Sequence, residues 1–387
     1  MPYCVYCGQT KDEGFSDEHI LPRAIGGNLL HNQLKIRVCQ RCNNTLGMFV
    51  DGPFVKSWTI SNHHASDALR YVDFDGNPGI QLCYMGISTE FSYGSKICEV
   101  WLGPTGDIVL HFHEPYPEQD NIPPMVGIPA YCRGRRGVVD PGFVITYLRS
   151  NNPVWIRPIP ISIQETFEHS ALYVGNMLNL PHGERFADIP DELRGLSCEI
   201  FERLHRGRDL TVDFRINTHY ADRFLAKLSL AIGAHVLNES FLYSQSATLL
   251  RNDMWEGNQA RRAMIPFRGT ALLPPQDQLT RFLSWPGGHL LCLLPTRGVL
   301  ALFSSFNEVQ CSAVVISDEP DHWREQISAD DGICFVFAPG LRRYVGPKRL
   351  SNLIAHKVED GQVDLELADL EDEMQRHSAL PPFVIED

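Results

Sequence analysis

The apolar positions along this chain fall into three textures. In the first sixty residues they are sparse, and Leu34–Val38 alternates apolar with basic residues, the period-two pattern of a short strand. A helix is expected to begin near Cys42, with Met48, Phe49 and Phe54 packing it to the segment and Asp51-Gly52-Pro53 interrupting or ending it. Beyond residue 60 the chain becomes rich in glycine, proline, aromatic and β-branched residues. Strand-like runs there are Ile97–Leu102, Ile108–His113 and Val154–Ile163, the last weakened by Pro158 and Pro160. The clearest helical period covers residues 219–240, where Phe224, Leu225, Leu228, Ile232, His235 and Val236 recur at three- and four-residue steps. Leu290–Leu294, Gly298–Ser304 and Ser312–Ser317 form a second group of strand candidates. The pattern predicts an α+β fold: a small module over residues 1–60, then a large mixed α/β domain rich in strands over 61–358, divisible near 165–218. Residues 359–387 are expected to form an acidic tail, in which Leu365, Leu367, Leu370 and Met374 are spaced for a short amphipathic helix.

The composition, 387 residues with 43% hydrophobic and 21% charged, suits two or three globular domains. Cys4 and Cys7 interrupt the start, so no signal segment is expected. The most apolar stretch, Leu290–Phe303, contains Pro295, Thr296 and Arg297, which argues against a membrane span. A cytoplasmic location follows as an expectation. The net charge of −13 is unevenly spread. Residues 1–60 hold six Lys/Arg against five Asp/Glu, whereas residues 359–387 hold ten acids and one base. The middle is therefore only mildly acidic, which tolerates nucleic-acid binding but weakens it when unaided, because nonspecific affinity comes from cations that neutralise phosphates.

Cysteine placement adds chemistry. Of eleven cysteines, seven (Cys83, Cys98, Cys132, Cys198, Cys292, Cys311, Cys334) stand alone among apolar neighbours and read as small buried hydrophobes. The other four form two pairs, Cys4/Cys7 and Cys39/Cys42. Two residues between cysteines let both thiolates face one metal from a single tight turn, and two such knuckles complete a tetrahedral structural zinc site. In a sixty-residue segment with few core residues, that Zn²⁺ substitutes for a hydrophobic core.

The residues between the knuckles narrow the reading. Glu18-His19-Ile20-Leu21-Pro22-Arg23-Ala24-Ile25-Gly26-Gly27 and Cys39-Gln40-Arg41-Cys42-Asn43-Asn44 resemble the HNH endonuclease family, in the branch with an acid before the first histidine and an asparagine after the last cysteine. The resemblance covers residues 1 to about 52. It implies a ββα-metal fold and cleavage of DNA phosphodiester bonds. By position it makes His19 the general base, and makes Glu18 and Asn43 oxygen ligands of a catalytic Mg²⁺ or Mn²⁺. Asn32, with Asn28 in reserve, would brace the loop carrying the base. Arg23, Lys35, Arg37 and Arg41 would contact phosphates. A widely seen form of the motif has histidine where this chain has Asn43. An HNH module ahead of a large unrelated domain also resembles the effector nucleases of bacterial antiphage systems. There the second part senses a nucleotide or docks a regulatory partner such as a short Argonaute. The competing reading is a non-catalytic zinc module that serves as a docking platform.

Other clusters are less informative. His111 and His113 flank Phe112 and share one strand face, as a metal pair would, but no third ligand is identifiable in the sequence. His63-His64 adjoins the module, but neighbouring residues face opposite ways in regular structure. Arg133-Gly134-Arg135-Arg136, Arg261-Arg262, and Arg342-Arg343 with Lys348-Arg349 could bind a nucleic-acid backbone or a phosphorylated ligand but read most simply as solvated faces.

Overall fold

The computed structural model describes residues 2–12, 14–27, 34–55, 57, 60, 82–103, 105–115, 142–149, 158–175, 185–213, 218–257, 268–272, 282–306, 310–358 and 361–378. They divide into two compact units, one drawn from Met1–His63 and Thr218–His377, the other from His64–Asn217 and Ser378–Asp387. The fold is mixed α and β, with a four-cysteine cluster near the N-terminus and a larger strand-rich region. This grouping differs from the division expected at residue 60, because the first segment shares its core with the second half of the chain.

That first segment begins with a two-residue hairpin, β1 (Tyr3–Cys4) and β2 (Gln9–Thr10), closed by a hydrogen bond from the Gly8 N–H to the Cys4 carbonyl at 2.9 Å. Gly8 takes φ +67°, a left-handed value that glycine accepts without steric cost. An antiparallel pair follows, β3 (Phe15–His19) with β4 (Lys35–Cys39). The helix Gln40–Leu46 then starts directly after Cys39. It widens into a π-helical turn at Gly47–Asp51 and continues through Gly52–Val55, so of the two outcomes expected at Asp51-Gly52-Pro53 the chain shows an interruption rather than an end. Pro53 directly follows the π-helical turn, where the wider spacing of the backbone accommodates a residue without an N–H. The expectation that Met48 and Phe49 pack inward is also corrected. They are 66% and 55% exposed, while Phe54 is fully buried.

Residues 83–213 carry a seven-stranded sheet: β5 (Cys83–Tyr93), β6 (Lys96–Leu102), β7 (Ile108–His113), β8 (Phe143–Tyr147), β9 (Ala171–Val174), β10 (Phe186–Ala187) and β11 (Val212–Asp213). Its order is β10-β9-β8-β7-β6-β5-β11, with β5 to β8 an antiparallel meander and β8, β9 and β10 parallel. The helix Pro158–Thr166 covers one face through Ile159, Ile163 and the following Phe167, which meet Trp101, Val109 and Val144. The helix Asp191–His205 covers the other through Leu193 and Ile200. The strand expected at Val154–Ile163 is therefore corrected over its described part. Pro158 and Pro160 stand in a helix's first turn, where the fixed φ of proline is tolerated.

After the helices Thr218–Val236 and Gln245–Trp255 comes a six-stranded antiparallel sheet: β12 (Arg268–Leu272), β13 (His289–Thr296), β14 (Val299–Phe306), β15 (Gln310–Ser317), β16 (Ile333–Ala338) and β17 (Arg343–Arg349), in the order β12-β15-β14-β13-β16-β17. One face, with Leu291, Leu293, Leu302, Val314 and Phe337, joins both helices and the cysteine segment in a common core. There Phe54 stacks on Phe224 with ring centroids 3.8 Å apart. The opposite face buries Leu290, Cys292 and Val336 under the helices Leu350–Lys357 and Leu365–Ser378, through Leu353, Leu367 and Leu370. The acidic stretch is thus not a loose tail over its described part. Asp369 and Glu373 pair with Arg343, and Asp364 and Glu366 with Lys348, so these acids are held by the body's own cations. Among the described residues, no helix is long and apolar enough to cross a membrane.

Candidate metal and nuclease site

The two knuckles meet. Ligand atoms of Cys4, Cys7, Cys39 and Cys42 all lie within 4.8 Å of one another, and three of the four residues are buried. Cys39 ends β4 and opens the following helix, which places Cys42 one turn on, beside Cys39. The Cys39 N–H donates to Cys4 Sγ at 3.3 Å. The hydrogen bond from the Cys42 thiol, opposed by burial and aided by backbone N–H groups, holds the Cys4 thiol down at about 4. Cys42, as the donor to its neighbours, is pushed up. Four sulfurs this close suit the tetrahedral thiolate set of structural zinc, and a metal would hold all of them deprotonated.

The body of the unit supports the first knuckle. Arg251 Nε donates to the Val5 carbonyl at 2.7 Å, and Trp255 Nε1 to the Tyr6 carbonyl at 2.8 Å. Tyr6 itself is fully buried. Sequence reasoning missed these supports, because nothing local links residues 5–6 to 251–255.

His19 is the last residue of β3. Its Nδ1 lies 3.1 Å from the Gly27 carbonyl, an acceptor, so Nδ1 carries the proton and Nε2 keeps its lone pair. The glycine pair of the motif has a geometric cause here. Gly26 takes φ +97°, and a Cβ on Gly27 would fall 1.6 Å from the Leu21 carbonyl oxygen. Partial burial first, then Lys35 and Arg23, lower the His19 pKa, which keeps the ring neutral near pH 7. In the ladder His19 stands opposite Lys35 and Asp17 opposite Arg37, so His19, Lys35 and Arg37 share one face. Arg23, Arg37 and Arg41 are exposed and Lys35 is half-buried.

Glu18 turns to the other face of β3, as does Ser16, and Asn43 Nδ2 donates to Ser16 Oγ at 2.9 Å. Glu18 and Asn43 therefore address one side of the strand, Asn43 with its amide oxygen still available as a ligand. Glu18 Oε1 also lies 2.6 Å from Lys227 Nζ, which reaches Asp51 Oδ2 at 2.5 Å. Lys227 is fully buried, with its ammonium 5.5 Å from the centroid of the Tyr6 ring. Burial raises the Glu18 and Asp51 pKa values, and Lys227 opposes that rise. Asp51 and Lys227 were not among the expected site residues. The available signal was Lys227 itself, the one charged residue in the largely apolar stretch between Phe224 and His235. Asn32 and Asn28 lie outside the described residues.

Compared with known families, residues 4–59 match the model of the HNH endonuclease family. That match covers the cysteine knuckles and the acid-histidine motif, and it indicates a nuclease-type function with a nucleic-acid substrate. No curated protein and no solved structure matched the chain.

Proposed function

With an HNH endonuclease segment at residues 4–59 as the premise, we propose that the chain hydrolyses DNA phosphodiester bonds in a metal-dependent reaction based on His19. One observation carries the reading: the His19 Nδ1 bond to Gly27 fixes the tautomer that leaves Nε2 as a base, on a face shared with Lys35 and Arg37. Nε2 takes a proton from the attacking water, the oxygen attacks phosphorus, and the 3′-oxygen departs. Arg23, Lys35, Arg37 and Arg41 draw in and orient phosphates. Glu18 and Asn43 are oxygen donors, which suits Mg²⁺ or Mn²⁺ better than a second zinc. Such an ion, when bound, stabilises charge on the scissile phosphate and leaving oxygen. By the family resemblance Asn32, with Asn28 in reserve, would brace the loop that carries the base, and Zn²⁺ on the four cysteines would hold the module together.

The remainder of the chain controls activity or substrate choice, as in an antiphage effector nuclease whose partner is a regulatory protein, a short Argonaute for example, or a nucleotide signal. What supports this is the architecture alone, a small nuclease module within a much larger protein. The test incubates purified full-length protein with plasmid and Mg²⁺ or Mn²⁺, alone and with the products of neighbouring genes. The expected outcome is cleavage that falls about 10²–10⁴-fold in His19→Ala, with zinc content and melting temperature unchanged. Equal cleavage by His19→Ala would remove the histidine from the mechanism. No cleavage under any condition would favour the docking-platform reading.

A further inference from the structure

Residues 82–213 hold a second set of ligand-type side chains for which the nuclease reading has no use. Glu99 lies on β6, and His111 and His113 on β7. Glu99 stands directly opposite His111 in the ladder, and His113 is two residues further along the same face. The three are 1%, 2% and 0% exposed. One ligating atom from each lies within 4.8 Å of the others. His111 Nδ1 is 3.6 Å from Glu99 Oε2, and His113 Nε2 is 3.5 Å from Glu99 Oε1. The third ligand missing from the sequence pattern is thus supplied by register across two strands.

The outward nitrogens decide which atoms face inward. His113 Nδ1 lies 2.7 Å from the carbonyl oxygen of Glu114. A carbonyl only accepts, so Nδ1 carries the proton and Nε2 of the neutral ring presents a lone pair to Glu99. His111 Nε2 meets the Ser170 hydroxyl at 3.3 Å, which directs Nδ1 to the carboxylate. Trp101 Nε1 donates to Glu99 Oε2 at 3.4 Å. Histidines that ligate metals are held in this way, by a hydrogen bond at the second ring nitrogen.

Two features disfavour a simple ion pair. The imidazole rings stack with centroids 4.6 Å apart, an arrangement that two imidazolium ions would resist at this depth. The 3.5 and 3.6 Å separations also exceed an N–H···O bond of about 2.7–3.2 Å. The two nitrogens face different oxygens of one carboxylate, His111 Nδ1 toward Oε2 and His113 Nε2 toward Oε1, so the Glu99 carboxylate and both imidazoles converge on one space.

We propose that Glu99, His111 and His113 form a second metal site, independent of the cysteine cluster, which takes a divalent transition ion of the zinc class. Two imidazoles and one carboxylate suit Zn²⁺, and three protein donors leave a fourth position for water or a small ligand. The site fastens β6 to β7 beneath the helix Pro158–Thr166, with the Phe167 ring 4.9 Å from that of His111. This assignment does not rest on the nuclease reading.

The test is metal stoichiometry by mass spectrometry of full-length protein, dialysed against Zn²⁺ and then metal-free buffer. The parent is expected to hold about two zinc ions per chain, and Glu99→Gln and His113→Gln about one, with the cysteine-bound ion retained. One ion per chain in the parent, or no loss in the variants, overturns the site and leaves an imidazolium–carboxylate pair. Cobalt substitution of the parent gives a readout that does not depend on how the variants fold. Two cobalt ions per chain, only one showing thiolate-to-metal charge transfer, are expected. A single, thiolate-bound cobalt overturns the proposal.

Discussion

Replacing Lys227 with methionine removes a buried ammonium while keeping most of the apolar stem. Lys227 is fully buried and holds Glu18 Oε1 at 2.6 Å and Asp51 Oδ2 at 2.5 Å, so the change strands two carboxylates that shared one cation. Breaking a buried ion pair by deleting one partner costs about 3–5 kcal/mol, most of it the penalty of an uncompensated buried charge. That range is expected here at pH 8. The pH dependence has a definite sign. Burial raises the pKa of Glu18 and of Asp51 in the folded chain, and Lys227 opposes that rise, so deleting it raises both further. A folded-state pKa above the unfolded value means that protons favour the fold, so the variant regains stability as pH falls through the raised value. The deficit should therefore be largest at pH 8 and shrink toward pH 5. Adding Glu18→Gln and Asp51→Asn to Lys227→Met should recover most of it, since no charge then remains buried. Urea titration followed by hydrogen exchange at the Thr218–Val236 helix reads this unit separately from the other. A loss under about 1 kcal/mol, or one equal at pH 5 and pH 8, would refute the argument that buried charge dominates here.

Cys39→Ser should release the zinc and unfold the N-terminal segment, because structural zinc contributes about 10–16 kcal/mol in small modules; elemental analysis with circular dichroism checks both. The lowered His19 pKa keeps the base deprotonated at lower pH than an ordinary histidine, so the acid limb of kcat/KM should lie below the usual histidine range. Lys35→Ala should move that limb up toward it. A fragment of residues 1–63 should bind zinc yet lack a stable hairpin, since Phe54 loses Phe224 and the carbonyls of Val5 and Tyr6 lose Arg251 and Trp255. Dispersed amide resonances throughout β3 and β4 of that fragment would contradict this.

Local periodicity made much of the fold legible. Ile108–His113 was readable as a short run of β-branched and aromatic residues, as suits a strand buried on both faces, and the helix expected over 219–240 was readable from apolar residues at three- and four-residue steps. The knuckles and the acid-histidine motif were readable because metal ligation and the His19 loop depend on residues close in sequence. Pro158–Thr166 was misread because proline marks a break inside a helix but is tolerated in its first turn, and the sequence does not say which applies. The core that the first segment shares with the second half of the chain was hidden for a different reason. A segment with its own metal centre reads as a separate domain, yet Tyr6 and Phe54 have no place to bury except against the second half of the chain.

The least legible residues are those whose partners are distant in sequence. Glu99 gives no sign of being a ligand until register places it opposite His111, twelve positions away. Lys227 lies 209 positions from Glu18. Its burial implies a demand for negative charge, but not where that charge lies. The consequence reaches the chemistry. Glu18, the carboxylate next to His19, is held by a helix outside the matched segment, so its ionisation depends on packing that residues 4–59 do not contain. A rearrangement that shifted the Thr218–Val236 helix would withdraw the ammonium and raise the Glu18 pKa, since Lys227 now opposes the effect of burial. A protonated Glu18 is a poor ligand for a hard divalent cation. Substitutions along that helix, far in sequence from the motif, are therefore the ones whose effects on cleavage and on stability should travel together.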